Sequence, residues 1–250
     1  MPMRGTGRYR ARFAEGAADL DRAQALRWRA FRAARGQGAE GGRDVDAFDA
    51  LCRHVLVEEV RGGRLVAAFR LLPLAHGREI GRSYSAQYYE LSGLRHYPGK
   101  MVEMGRFCLD PDCHDPDVLR VAWAAMTRFV DAEGVGMLFG CSSFLGTDAE
   151  TYLDAFAMLR ERHLAPKCWR PVVKAPKVFR FALRLRRRQS DPRRAMQLMP
   201  PLLRTYLMMG GWVSDHAVVD DDLGTLHVFT GVEIAGIPPS RARALRLLAG

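Results

Sequence analysis

The sequence predicts one mixed α/β domain in which helices pack against a largely antiparallel sheet. The clearest signal is a β-hairpin over residues 54–72, where two strand-like runs flank the pair Gly62-Gly63. Residues 101–130 then have the pattern of a buried strand, a short loop and an amphipathic helix. Residues 212–232 suggest a second hairpin that closes the sheet.

The length and composition permit one sizeable core. The chain has 250 residues, of which 48% are hydrophobic, so we expect a single domain over 1–250. Its core should cover about 8–235, and residues 236–250 form a basic amphipathic tail. No apolar run is long enough to cross a bilayer, and the basic start lacks the apolar segment of a signal peptide, so we expect a cytoplasmic protein. Five cysteines without ligand-like spacing predict reduced thiols and no metal site.

Before the first hairpin, the pattern predicts a strand, a long helix, a loop and a helical turn. These elements cover residues 8–15, 17–35, 36–43 and 46–52. The helix is rich in alanine, arginine and leucine, with Leu20, Leu26 and Phe31 as apolar positions. After the hairpin, residues 73–100 form an irregular insertion that contains four tyrosines.

The helix within 101–130 has a clear start. Asp115 is a good N-cap, and Pro116 fits the first helical position, where its missing N–H costs nothing. Its apolar face is formed at helical spacing by Val118, Val121, Ala122, Ala125 and Phe129. Further along, the sequence predicts a buried strand, a helix, another strand and a short helix. They lie at 136–144, 148–163, 178–183 and 201–209.

Two opposite charges interrupt the apolar strand 101–109. Glu103 and Arg106 are three residues apart, so on a strand they point to opposite faces and need not pair with each other. A buried carboxylate or guanidinium is costly unless it is compensated, which makes both residues candidates for a functional site. The structural alternative is that Glu103 is the buried partner of a nearby arginine.

Several motifs resemble one family of acyltransferases. The run Glu103-x-Gly105-Arg106-Phe107-Cys108 is similar to the central strand of the autoinducer-synthase-like branch of the GNAT acyltransferases. Within that branch the chain most resembles the bacterial ornithine N-alpha-acyltransferases, over about 27–222. Its other anchors are Arg27 with Phe31, Asp46-x-x-Asp49, Arg70-Leu71-Leu72, and Gly140-Cys141-Ser142-Ser143-Phe144-x-Gly146-Thr147-Asp148. The resemblance implies a GNAT-like fold.

The resemblance also implies roles for these residues. Glu103 would be the base that takes a proton from the acceptor amine, since burial would raise its pKa. Asp46, Asp49, Arg70 and Arg106 would form a charged cluster beside the transfer centre; the alternative is a surface network of little energetic value. Arg106 would be catalytic together with Glu103. The substrate contacts would be Arg27, Phe31, Asp46, Asp49, Arg70, Cys141, Ser142 and Ser143. Phe31 could equally be a core residue, and 140–148 could simply enter a helix that Thr147 or Asp148 caps.

The donor site is predicted from what the loop 110–117 contains. It has four acids and no glycine, so it would repel the pyrophosphate of coenzyme A. We therefore expect no free cofactor and a phosphopantetheine carried by acyl carrier protein. Residues 160–194 carry 13 Lys and Arg against two acids, whereas the rest of the chain has a net charge of −1. This basic segment would dock the acidic carrier, through Arg184, Arg186, Arg187 and Arg188. The alternative is a solvated basic surface.

We therefore expect an N-acyltransferase that takes a 3-hydroxyacyl chain from acyl carrier protein. The acceptor, the alpha-amine of L-ornithine, is implied by the resemblance only. One alternative is an acyl-homoserine-lactone synthase, but the loop Arg35-Gly36-Gln37-Gly38 lacks the tryptophan typical of those enzymes. The other is a non-catalytic basic module that binds membrane or nucleic acid. The charges within apolar strands count against it, and we expect no nucleic acid partner. The tail 236–250 leaves binding to the anionic inner membrane surface open.

Overall fold

The hairpin predicted around Gly62-Gly63 is present. Both glycines have positive φ values, 83° and 66°, the left-handed region that a two-residue hairpin turn requires. They join the antiparallel strands β2 (Arg53–Glu59) and β3 (Leu65–Leu74). Strand β1 (Tyr9–Phe13) pairs with the other edge of β2. The structure is a computed structural model that describes residues 7–33, 36 and 41–249.

The structure groups the chain into two compact units. Unit 1 comprises Met1–Pro73, Met104–Gly134 and Ala242–Gly250, and unit 2 comprises Leu74–Glu103 and Val135–Arg241. The single domain expected from the sequence stays a prediction.

Unit 1 packs helices on a small sheet. Its strand order is β1-β2-β3 followed by β5 (Lys100–Leu109), of which residues 104–109 belong to this unit. Helix α1 (Ala17–Phe31) ends four residues before the predicted boundary; residues 34–35 of that prediction lie outside the described residues. The unit also contains residues 242–249 of the last helix, α7 (Pro239–Ala249).

Helix α2 (Pro116–Glu133) confirms the predicted helix start. The Asp115 side chain accepts a hydrogen bond from the Asp117 N–H, and Pro116 occupies the first turn. Its buried face includes Val118, Ala122 and Phe129.

Unit 2 contains the second half of the strand set. Its strands are β4 (Tyr89–Glu90), β6 (Val135–Leu145), β7 (Val172–Val173), β8 (Val178–Phe179), β9 (Trp212–Val213), β10 (Ala217–Asp220) and β11 (Thr225–Glu233). Residues 100–103 of β5 run parallel to β6, β6 is antiparallel to β11, and β10 lies antiparallel between β11 and β8. The short β9 also pairs with β11, and β4 pairs with β7 in a separate two-stranded sheet.

The helices of unit 2 cover a core built around Phe156 and Phe181. The helices are α3 (Leu153–Arg162), α4 (Phe181–Arg184), α5 (Pro192–Leu198) and α6 (Pro201–Met208). The predicted helix 148–163 begins with a 3-10 turn, Ala149–Tyr152, because Asp148 caps it by accepting from the Glu150 N–H. The irregular insertion contains the 3-10 helices Gly77–Arg82, Ser85–Gln87 and Ser92–His96.

One predicted strand is wrong. Residues 178–183 were expected to be extended, but only Val178–Phe179 are, and the chain turns at Arg180 into helix α4. The Leu183 and Arg184 N–H groups both donate to the Arg180 carbonyl, and Phe181 is fully buried. Tertiary burial of Phe181 and the helix-favouring run that follows therefore outweigh the strand-like alternation.

The predicted fold class is confirmed. The pairs β1–β2, β2–β3, β6–β11, β10–β11 and β8–β10 are antiparallel and β5 is parallel to β6. Helices accompany the strands, as expected for a mixed, mostly antiparallel α/β fold. Among the described residues, no helix has both the length and the apolar composition needed to cross a membrane.

Candidate active site

A buried ionic cluster lies in unit 1. Arg27 of α1, which is 1% exposed, donates through both terminal nitrogens to the two oxygens of Asp49, at 2.7 Å each. The same guanidinium also donates to the Asp44 backbone carbonyl. The Gln24 amide donates to Asp49 at 2.9 Å. This two-pronged geometry is the strong form of an arginine–carboxylate pair.

Two further arginines complete this cluster. Arg70 of β3 donates to both oxygens of Asp46, at 2.5 and 2.7 Å, and to Asp49 at 2.8 Å. Arg106 of β5 donates to Asp46 at 3.1 Å and lies 3.1 Å from Asp44. The predicted members Asp46, Asp49, Arg70 and Arg106 are therefore brought together, and Arg27 and Asp44 are additional members.

The backbone of Arg106 is unusual. Its φ is 51°, and among the described residues it is the one non-glycine residue with positive φ. A left-handed conformation costs a residue with a Cβ about 1–2 kcal/mol. Such a conformation persists where surrounding contacts hold it, and here Asp44 and Asp46 do so.

The ionic cluster shifts the titration of its acids. Burial would raise the pKa of the Asp49 carboxyl, but the hydrogen bonds and charge of Arg27 outweigh it and hold that pKa well below its usual range. Burial and Arg70 act on the pKa of Asp46 in the same opposing ways, and that pKa is also lowered. Burial lowers the pKa of His54, whose Nε2 lies 3.0 Å from the Asp49 carbonyl.

This arrangement corrects one alternative drawn from the sequence. The charged residues are not a surface network, because Arg27, Asp44, Asp49 and Arg70 are all buried. The Asp46 side chain is 21% exposed, so it is the carboxylate of the ionic cluster that a ligand can approach. Phe31 packs instead against the apolar cluster that contains Leu26 and Leu56.

Glu103 lies in unit 2 and is held by a turn of the insertion. Its carboxylate accepts hydrogen bonds from the Tyr84 N–H at 2.7 Å, the Ser85 N–H at 2.8 Å and the Ser85 hydroxyl at 2.6 Å. The side chain is buried. These three hydrogen bonds fix the position of the Glu103 carboxylate.

The small residues at the end of β6 divide between two faces. The Cys141 thiol lies 3.4 Å from the Ser85 hydroxyl, on the face that carries Glu103. Ser142 points the other way and is buried, where it accepts a hydrogen bond from Thr230 at 2.9 Å. Ser143 is exposed. Cys141 therefore contacts a residue that donates to the Glu103 carboxylate, whereas the Ser142 side chain is buried in the interior.

Tyr89, His216 and His227 form a group of buried polar side chains in unit 2. The Tyr89 hydroxyl donates to the His227 carbonyl at 2.8 Å and lies 3.1 Å from His227 Nδ1. Burial, and to a lesser extent His216, lower the pKa of His227 to about 4. Both histidines and Tyr89 are buried. These three residues and Thr230 are buried polar groups of unit 2.

The basic segment 160–194 is exposed at its predicted docking residues. Arg184, Arg186, Arg187 and Arg188 are all exposed, and Arg188 forms an ion pair with Asp154 at 3.1 Å. In the described part of the chain, no group of three His, Cys, Asp or Glu side chains is arranged to hold a metal ion.

Comparison with known proteins places the chain in a family. It is 34% identical over 230 residues to an L-ornithine N(alpha)-acyltransferase of Rhodobacter capsulatus, which covers 88% of both chains. The chain belongs to the L-ornithine N(alpha)-acyltransferase family. A second relative of the same name, from Rhizobium meliloti, is 31% identical and covers 90% of this chain and 80% of its own length. Residues 26–124 match an acetyltransferase (GNAT) domain family. The protein is thus a GNAT acyltransferase, as the sequence predicted.

Solved structures support the fold of this acyltransferase. FeeM, an N-acyl amino acid synthase from uncultured soil microbes, superposes with a TM-score of 0.51 at 10% identity and covers 98% of each chain. BjaI, a CoA-dependent acyl-homoserine lactone synthase, superposes with a TM-score of 0.50 at 15% identity, over 92% of this chain and 82% of its own. At such identities the likeness concerns the fold alone.

Sequence reasoning missed three residues of this acyltransferase. Asp44 precedes the recognised Asp46-x-x-Asp49 motif by two residues, and this period-two spacing was a usable signal. Tyr84 and Ser85 lie 18 or more residues before Glu103, in an irregular segment whose path no local pattern predicts. Only the folded insertion brings their donors to the Glu103 carboxylate.

Proposed function

We propose that the protein transfers a 3-hydroxyacyl chain from acyl carrier protein to the alpha-amine of L-ornithine, giving lyso-ornithine lipid. The observation that carries the proposal is the match to L-ornithine N(alpha)-acyltransferases along nine-tenths of the chain. The charged acceptor suits a protein that buries several carboxylates and arginines within one unit.

Glu103 serves as the base in this proposal. The neutral amine attacks the thioester carbonyl, the C–N bond forms, the C–S bond breaks, and the thiolate leaves on the pantetheine arm. The proton released from the attacking nitrogen passes to Glu103, directly or through one water. The hydrogen bonds from residues 84 and 85 fix the carboxylate, so little reorganisation accompanies the transfer.

The ionic cluster of unit 1 serves the acceptor. Asp46 is its partly exposed carboxylate, and the ammonium groups of ornithine are its proposed partners. Arg70 and Arg106 hold Asp46, and Arg27 holds Asp49. In this proposal Asp46 contacts the acceptor, whereas the buried members position it.

The donor is a carrier-bound thioester in this proposal. Asp115 already accepts from the first turn of α2, and Asp110 and Asp112 precede it, so this helix N-terminus does not offer its N–H groups to a pyrophosphate. The exposed arginines of the basic segment suit the acidic surface of a carrier protein.

In this proposal the C-terminal helix α7 binds the membrane that receives the product. Leu247 and Leu248 of α7 are exposed, at 78% and 39%, beside the basic residues of the tail. We expect weak, salt-sensitive binding to anionic vesicles. Co-sedimentation should fall in a Leu247→Ser, Leu248→Ser variant; a wild-type chain that never sediments would contradict this expectation.

Mass spectrometry tests the function directly. Purified protein is incubated with 3-hydroxyacyl carrier protein and L-ornithine, and the expected product is the alpha-N-acylated amino acid. Acyl-homoserine lactone formed instead from S-adenosylmethionine would favour the rival synthase activity; the loop without tryptophan that argued against it lies largely outside the described residues. Acylation of the side-chain amine, or no turnover with carrier-bound donors, would contradict the proposal.

A further inference from the structure

A cationic pocket lies in unit 2, within the insertion. Its cavity of about 370 Å³ is lined by the charged side chains of Arg78, Arg95, Lys174 and Glu90, with Tyr89 and Ala86 among its other walls. This volume holds more than a simple ion and is in the range of small-ligand sites.

The pocket cations are not neutralised by the protein. Across the described residues, no carboxylate lies within ion-pairing distance of Arg78, Arg95 or Lys174. Lys174 donates to the Ala86 carbonyl at 2.6 Å. The one acid of the lining, Glu90, accepts from the Ser92 N–H at 2.8 Å. Three cations against one carboxylate leave a net charge of +2 for an anion to meet.

Backbone packing holds these cations near one another. Arg78 and Arg95 lie on the two 3-10 helices Gly77–Arg82 and Ser92–His96. A Cβ at Gly77 would lie 2.2 Å from the Leu94 carbonyl oxygen, so only glycine permits this approach. Lys174 follows β7, which pairs with β4. The pocket is therefore built by backbone contacts between the insertion and the basic segment.

The pocket shares a wall with the turn that holds Glu103. Ala86, whose carbonyl binds Lys174, directly follows Ser85, whose hydroxyl donates to the Glu103 carboxylate. The pocket is therefore joined to the proposed base through two consecutive residues of the chain, and an acyl donor, unlike a lipid headgroup, has to reach that base.

We propose that this pocket binds the phosphate of the donor's phosphopantetheine arm. The inference rests on the proposed carrier-bound donor. A phosphodiester carries one negative charge and non-bridging oxygens that accept from guanidinium and ammonium groups. The arm would then be anchored by its phosphate at Arg78, Arg95 and Lys174, with its thioester end free to reach Glu103.

Equilibrium binding tests this inference without turnover. Calorimetry compares 4′-phosphopantetheine with pantetheine, and we expect wild type to bind the phosphorylated form at least tenfold more tightly. The variant Arg78→Gln, Arg95→Gln, Lys174→Gln should lose this preference. The double variant Arg78→Gln, Arg95→Gln, which keeps the Lys174 hydrogen bond, should lose most of it. Arg82→Gln is the matched control, because Arg82 lies on the same helix but is paired with Glu79 at 3.0 Å.

Several outcomes would overturn the inference. These are equal binding of both ligands by wild type, an unchanged preference in the triple variant, or a triple variant that loses only sedimentation with phosphatidylglycerol vesicles. A raised KM for ornithine with the phosphate preference intact would assign the pocket to the acceptor carboxylate instead. By contrast, failure to acylate ornithine with any donor, alongside an intact phosphate preference, would refute the proposed function and leave the pocket assignment standing.

Discussion

The two units bury polarity in different ways. Unit 1 buries full charges and compensates them with one another, as Arg27 does with Asp49. Unit 2 buries mostly neutral polar groups, such as His227 and Tyr89, and its buried Glu103 takes hydrogen bonds from N–H and hydroxyl donors. Removing one partner of a buried ion pair is costly, because the other charge is left uncompensated. The comparison therefore separates carboxylates held by arginines from a carboxylate held by N–H and hydroxyl donors.

The largest expected effect comes from the carboxylate of unit 2. Glu103→Gln keeps the size of the side chain but removes its capacity to take a proton. We expect kcat to fall about a hundred- to ten-thousandfold, with little change in donor binding and partial rescue at high pH, where more free amine is present. Steady-state kinetics across a pH series measure it.

Asp49→Asn is the comparison variant in unit 1. It should impair folding or acceptor binding, without rescue at high pH, because its effect does not pass through proton transfer. Near-normal turnover by a folded Glu103→Gln protein at neutral pH would show that Glu103 is structural.

The next effect concerns the support in unit 1. Arg27→Met leaves Asp49 without its closest cation, and breaking a buried pair costs about 3–5 kcal/mol of the free energy of unfolding. Urea denaturation measures this loss. Arg29→Met on the same helix is the control, because Arg29 is 44% exposed and Asp110 retains Arg64, so we expect a loss below about 1 kcal/mol. Equal losses in the two variants would remove the distinction between buried and exposed pairs.

The pH dependence of the free energy of unfolding should also distinguish the two units. The pKa of His227 is about 4 in the folded protein against about 6.5 when unfolded, so the unfolded state binds more protons between these values. Stability should therefore be highest above pH 6.5 and fall by up to about 3 kcal/mol as the pH approaches 4. The lowered pKa values of Asp46 and Asp49 act the same way, but only below about pH 4.

His227→Gln should flatten the slope between pH 6.5 and 4 in urea titrations. Thr225→Val on the same strand is the control, because it removes a buried hydroxyl without an ionisable group and should shift stability equally at every pH. A slope that is unchanged in His227→Gln would place the titration elsewhere.

The smallest expected effect comes from replacing exposed arginines on the surface of each unit. Arg186→Glu, Arg187→Glu, Arg188→Glu in unit 2 should weaken use of acyl carrier protein about tenfold at low salt and leave use of a small acyl-pantetheine nearly unchanged. Added salt should mimic the substitutions, because exposed charges are screened within about 10 Å at 0.1 M. Arg120→Glu in unit 1, where Arg120 pairs with Asp117, is the control. Equal losses with both donors would reject docking through these arginines.

The sequence predicted what local rules determine. Gly62-Gly63 identified the hairpin, and Asp115 with Pro116 identified the start of α2, because turn and cap chemistry act over a few residues. The strand expected over 178–183 failed because burial of Phe181 is a tertiary effect. In the site, recognised motifs supplied Glu103 and most of the ionic cluster. They could not supply Ser85, which reaches Glu103 only through the folded insertion.

The left-handed backbone of Arg106 has a consequence for anyone who redesigns this protein. Glycine would relieve the backbone but leave Asp44 and Asp46 short of a cation, whereas lysine would keep the charge but lose the planar fork and the geometry it fits. Position 106 therefore joins two demands that no other single amino acid meets together. We therefore expect directed evolution by single substitutions to yield no stable replacement for Arg106. A workable replacement requires a simultaneous change at Asp44 or Asp46.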